Sequence, residues 1–149
     1  MNHKSSETMG YREHERFSNG DWIGVLEKME LGDHLCFIYQ TEEEHRNLLT
    51  HFLRIGLERN EKIIYIVDNH TNETIIEYLR GTVNINAFID AGQFVILDCE
   101  QSYVREGIFD PEKMIALLKA ETETALAEGY SGLRVTGEMS WALHGKPGS

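Results

Sequence analysis

Four short apolar runs, each bounded by helix-forming sequence, predict an α/β fold with a mostly parallel sheet of at least four strands flanked by helices. Two further observations agree. The runs lack polar alternation, as expected of strands whose sheet is covered by helices on both faces. The chain has only two prolines, and neither falls inside a run.

Each element has its own warrant. Asp21 to Met29 reads as a short helix capped by Asn19 or Asp21, ended by Gly32-Asp33. His34-Leu35-Cys36-Phe37-Ile38-Tyr39 is the first predicted strand. Thr41 with Glu44 three residues on is a capping box. It opens a helix carrying Leu48, Leu49, Phe52, Leu53 and Leu57 at helical spacing, which fades at Arg59-Asn60. Lys62 to Asp68 is the second strand. Thr71 caps a helix with Ile75, Ile76, Tyr78 and Leu79, ended by Gly81. Gln93 to Asp98 is the third strand. Asp110-Pro111 is an N-cap followed by proline at the first helical position. The helix it opens runs through Met114, Leu117, Leu118 and Ala125 to Gly129. Gly132 to Glu138 is the fourth strand.

At 149 residues, one domain is expected. Residues 1–20 are polar, carry balanced charge and read as a tail. Residues 21–149 form the predicted domain. The chain carries 14 Lys+Arg against 25 Asp+Glu, a net charge of −11. That surplus of acid argues against direct nucleic-acid binding and against an anionic membrane surface. No window approaches the ~18 apolar residues of a membrane span, and the tail lacks the apolar centre of a signal peptide. Cys36 and Cys99 lie far apart and read as reduced thiols in a cytoplasmic protein.

Ligands of open parallel sheets bind beyond the carboxyl ends of the strands. Those ends read Tyr39-Gln40-Thr41, Asp68-Asn69-His70, Asp98-Cys99-Glu100 and Thr136-Gly137-Glu138. Acids stand at three of them, either as site groups or simply as caps of the following helices. The loop Gln40-Thr41-Glu42-Glu43-Glu44 has no glycine and three carboxylates, which would repel a triphosphate. It is no phosphate loop, and no Gly-x-Gly-x-x-Gly occurs. No cofactor is expected. His34 and Cys36 share one strand face and could give two ligands to a soft metal, with Cys99 or His70 as further ligands. The plainer account is a buried Cys36 and a His34 at the sheet rim. His45 and His51 read as surface or helix-packing residues. Cys99 is the best nucleophile by position, but Asp98 and Glu100 oppose thiolate formation.

Several of these stretches resemble the MEDS domain, the sensory domain of methanogens and methylotrophs named in part for the dichloromethane-responsive regulator DcmR. They are Asp33 to Tyr39 with the acidic Thr41 to Arg46, Glu61 to Asp68, Arg105 to Pro111, and the long run Ala127 to Leu143. The resemblance implies a cytoplasmic sensory module with a RecA/KaiC-like three-layer fold lacking the phosphate loop. It implies a small organic ligand: a C1 or halogenated compound, or a methylamine. It also implies a regulatory protein partner or a homo-oligomer as output. The family's first-strand His, Cys and Tyr match His34, Cys36 and Tyr39, and its later acidic and aromatic positions match Asp68, Glu138 and Trp141. Family members continue past the run that ends here, so a C-terminally truncated domain with an open sheet edge is expected. The rival expectation is a metal or thiol redox sensor built on His34, Cys36 and Cys99. Enzymatic use of Asp68 or Glu138 as a general base is not expected, because neither a nucleophile nor a phosphate loop accompanies them.

Overall fold

A computed structural model describes residues 21–102, 104–105 and 108–140. Helix α1 (Asp21–Lys28) leads into an irregular segment and then α2 (Glu42–Glu58). Strand β1 (Lys62–Val67), α3 (Asn72–Arg80), α4 (Ile85–Asp90) and β2 (Phe94–Asp98) follow. A short helix α5 (Cys99–Ser102) precedes the strands β3 (Val104–Arg105) and β4 (Ile108–Phe109). Helix α6 (Pro111–Ala127) and strand β5 (Leu133–Gly137) complete the described elements.

The main sheet has three strands in the order β2-β1-β5, and both pairings are parallel. Tyr65 of β1 lies between Ile96 and Thr136. The first predicted strand, His34 to Tyr39, is the correction, so the sheet has three strands and not four. Residues 33–39 are irregular, and Leu35, Cys36, Ile38 and Tyr39 are exposed. Both edges of β1 are taken by β2 and β5, and residues 33–39 pair with neither outer strand. An unpaired apolar run does not form a strand by itself. The small elements α4, α5 and the antiparallel β3–β4 ribbon carry no sequence pattern long enough to announce them.

The caps agree with the sequence. Thr41 Oγ1 accepts from the Glu44 N–H at 3.2 Å, and the Glu44 carboxylate accepts from the Thr41 N–H at 3.3 Å. Thr71 caps α3 and Asp110 caps α6 through the N–H of Thr74 and Lys113. All six residues of β1 are buried. Ile63, Tyr65 and Val67 pack with Leu49 and Leu53 of α2, Ile75 and Leu79 of α3, and Ile85. Ile64 and Ile66 face the other way, against Cys99, Met114 and Leu117. Helices therefore cover both faces, and each fully buried aliphatic side chain contributes roughly 1.5–3 kcal/mol.

The amino end of the sheet is closed by ion pairs. The Arg134 guanidinium binds the buried Glu61 carboxylate through Nε and Nη2 and lies over the Phe52 ring, 4.6 Å from its centroid. Lys62 Nζ meets Glu128 Oε2 at 2.7 Å. This pairing explains a glycine in the last turn of α2. A Cβ at Gly56 would come within 2.7 Å of Arg134 Cδ, and Glu61 and Phe52 hold that side chain in place.

Candidate functional site

The carboxyl end is organised around one carboxylate. Glu138 follows β5, and its backbone N–H donates to Ile66 O at 3.0 Å. That bond extends the ladder by one residue and turns the side chain toward the loop after β1. There Glu138 Oε2 accepts from the N–H groups of Asp68 and His70, each at 3.0 Å, and of Asn69. Glu138 Oε1 accepts from Tyr65 Oη at 2.9 Å and faces His70 Nδ1 at 2.7 Å. Burial alone would raise the Glu138 pKa. The backbone donors and Tyr65 outweigh it and hold the carboxyl below its ordinary value.

His70 passes the interaction outward. Its Nε2 lies 2.8 Å from Glu42 Oε2, at the start of α2, and its side chain is 8% exposed. A ring with a carboxylate at each nitrogen is a double donor, which is the imidazolium form. Burial lowers the His70 pKa, but the hydrogen bond to Glu42 and the charge of Glu138 outweigh it and raise the value. Glu42 also accepts from Tyr78 Oη of α3 at 2.6 Å. The Tyr78 hydrogen bond leads the causes that lower the Glu42 pKa, with His70 second. Burial and the bond to Glu42 push the Tyr78 phenol up to about 12.

His45 stands one helical turn after Glu42 and is 6% exposed. Its ring stacks on Tyr39 at 4.5 Å and lies 4.9 Å from the His70 ring. Its Nε2 is 3.4 Å from Tyr65 Oη. The Tyr65 proton goes to Glu138, so Tyr65 is left to accept, and His45 Nε2 carries the proton. The Nδ1 atom has no hydrogen-bond partner. Burial, reinforced by the charge of His70, lowers the His45 pKa. One neutral imidazole thus sits beside a charged one. Glu42, His45 and His70 each offer a ligand atom within 4.8 Å of the others, and they are the one such group of three among the described residues.

The residues singled out from the sequence are distributed unevenly. Glu138 is the hub and Tyr39 a wall of the cluster. Asp68 lies at its edge and ties down the neighbouring segments: it accepts from Cys99 Sγ at 3.4 Å and from Ser140 Oγ. Burial and the Asp68 bond push the Cys99 thiol up to about 11. His34 and Cys36 are exposed in the irregular segment and are not brought together with Cys99 as a ligand group. Trp141 lies outside the described residues, as does the tail of residues 1–20.

Sequence reasoning passed over Glu42, His45, Tyr65 and Tyr78 as site residues. One clue was available. Glu42-x-x-His45 places a carboxylate and an imidazole on one helix face, a spacing that recurs in helical metal sites.

The model of the family described as MEDS, the methanogen/methylotroph DcmR sensory domain, matches residues 33–149. The chain belongs to the MEDS family. No curated protein and no solved structure matches it. As a MEDS domain it is a sensory module, and the matched region contains every residue of the cluster. No helix among the described residues is long and apolar enough to cross a membrane.

Proposed function

We propose that this MEDS domain is a non-catalytic cytoplasmic sensor of a small organic molecule, a C1 or halogenated compound or a methylamine, held at the carboxyl edge of the sheet. The observation that carries the reading is the convergence of Tyr39, Glu42, His45, His70 and Tyr78 on the buried Glu138. Aromatic walls with a few fixed polar groups suit a small ligand. A surface depression of about 550 Å³ between α2 and α3 meets the cluster only at Glu42 and Tyr78. Sensing also requires that a ligand bind one conformation better than another. Tyr39 belongs to an irregular segment yet stacks on a helix residue, so a ligand that alters that stack would move residues 33–40.

A non-catalytic role is supported by the acids themselves. Glu138 is engaged by five donors, and its depressed pKa makes it a weak base. The Cys99 thiol, pushed up and bound to Asp68, is poorly suited to thiol redox sensing. Output through a regulatory partner or a second copy is supported by Ile115 and Leu126 of α6, which are 67% and 55% exposed. A RecA-like ancestry belongs to the same reading. It rests on helices covering both faces of a parallel sheet.

Thermal-shift measurements with methylamines, methanol and dichloromethane test the proposal. One class is expected to raise the melting temperature in a saturable manner, and Tyr39→Ala is expected to remove the response. If none of these compounds stabilises the protein at tens of millimolar, the reading fails.

A further inference from the structure

The carboxyl-edge cluster has more donor capacity than a purely organic ligand needs. Its polar groups are two imidazoles and a carboxylate at the mouth, backed by a second carboxylate that touches only one of the imidazoles. We propose that Glu42, His45 and His70 bind a divalent transition-metal ion, zinc or ferrous iron, with Glu138 as the outer carboxylate that orients His70.

Four observations support this. The three ligand atoms lie within 4.8 Å of one another. Ligand atoms around a single zinc stand about 3–3.5 Å apart, as bond lengths near 2.1 Å require. Glu42 and His70 already stand 2.8 Å apart, and the 64% exposed Glu42 side chain can exchange its Tyr78 hydrogen bond for the metal. Second, the His70 Nδ1···Glu138 Oε1 contact of 2.7 Å is the hydrogen bond that metal-bound histidines make through the nitrogen that does not ligate. It leaves Nε2, facing Glu42 at 2.8 Å, as the ligating atom. A proton now holds the position between His70 and Glu42 that a metal would occupy.

Third, His45 is nine-tenths buried and its Nδ1 has no partner. A buried imidazole lone pair without a donor costs stability unless something uses it. Its ring is fixed between Tyr39 and His70, within the cluster. Fourth, two imidazoles and one carboxylate are a donor set that zinc and ferrous iron both accept, and three protein ligands leave coordination positions open. An open position beside Tyr39 would let the metal itself receive the sensed molecule. The inference deepens the proposed sensing site, since it rests on the same cluster, but it does not depend on which organic molecule is sensed.

The test uses the full chain, stripped with chelator and reloaded with zinc sulfate, or with ferrous sulfate without oxygen. Metal retained after desalting is measured by elemental analysis. Cobalt(II) loading is followed by visible absorption, which reports coordination directly. One metal per chain is expected, together with a cobalt d–d band. Glu42→Gln and His70→Gln should each weaken binding by at least about tenfold, the lower bound seen when even outer-shell partners are removed. Circular dichroism checks that both variants are folded. Cys36→Ala should bind as the parent does.

No retained metal from either salt overturns the inference. So does binding that Glu42→Gln and His70→Gln leave unchanged in folded protein, or binding that Cys36→Ala abolishes. The salt that is retained tells zinc from iron. These failures are separate from that of the sensing proposal, which fails only when neither stripped nor loaded protein responds to the organic compounds.

Discussion

The two ends of the sheet use the same residue types for opposite purposes. At the amino end, Glu61 and Arg134 form one pair and Lys62 and Glu128 another, and Phe52 covers the guanidinium. At the carboxyl end, Glu138 serves five donors, His70 bridges two carboxylates, and His45 keeps a ring nitrogen without a partner. The first arrangement is closed, because each charge is spent on one opposite charge. The second is a chain of shared groups that ends in spare capacity. Buried charge by itself therefore does not mark a functional site, whereas buried charge with leftover donor capacity does.

The largest expected effect breaks the hub. Glu138→Ala orphans three backbone N–H groups and leaves the buried Tyr65 hydroxyl and the His70 imidazolium facing each other. Removal of a buried charged partner should lower stability by about 5 kcal/mol, measured as the urea midpoint multiplied by its slope. The matching change at the closed end is smaller. Arg134→Ala leaves one carboxylate, Glu61, without its cation and should cost about 3 kcal/mol. The comparison sharpens in the double variant Glu61→Leu, Arg134→Met. Replacing a simple pair by apolar side chains should restore stability to within about 1 kcal/mol of the parent. No such paired replacement exists for Glu138, whose partners are mostly backbone.

The carboxyl end was legible in the sequence in part, and the ion pairs of the amino end were not legible at all. Capping patterns, strand positions and helical spacing are local, so Thr41, Thr71 and Asp110 announced their helices, and the rule for parallel sheets pointed at Asp68 and Glu138. The reading of His34 to Tyr39 as a strand failed because apolarity does not supply a pairing partner, and this segment joins no ladder with any of the three strands. His45 reads as a surface or helix-packing residue; it does pack, but its place in the cluster was missed for a related reason. A histidine on an acidic helix start looks solvated until β1 and β5 bring Tyr65, His70 and Glu138 against it. The register that does so couples residues about seventy positions apart, and no local pattern records it.

Acid and base should strain the two sides of the hub in opposite senses. The His70 pKa is raised in the fold. Its contribution is therefore fully present below the ordinary histidine value of about 6.5 and is lost as pH rises through the raised value. The Glu138 pKa is depressed. Its contribution is present above the ordinary glutamate value of about 4.3 and is lost as pH falls through the depressed value. His45, depressed by burial, adds to the acid-side loss. Stability should accordingly be greatest on the mildly acidic side of neutrality. The decline above pH 7 should disappear in His70→Gln, and urea midpoints measured across pH will show whether it does. The double variant at the amino end should retain that decline, because it leaves His70 in place.

A smaller effect probes the mouth of the cluster. Tyr78→Phe removes the hydroxyl that donates to Glu42 at a partly exposed position. It should cost about 0.5–1.5 kcal/mol, the usual net worth of one hydrogen bond, again read from urea midpoints.

The smallest effect is expected where the family resemblance pointed first. Cys36 is exposed in the irregular segment before α2 and is separate from both ends of the sheet. Cys36→Ser should change stability by no more than about 0.5 kcal/mol, as surface substitutions do. The comparison with Tyr39, three residues on, is the informative part. Tyr39 stacks on His45 and belongs to the shared network, so Tyr39→Ala should remove the thermal response to an organic ligand while Cys36→Ser leaves it intact. A response lost in both variants would mean that residues 33–40 close over the site as one unit when ligand binds. The spare capacity at the carboxyl end would then be completed by this segment as well as by the cluster.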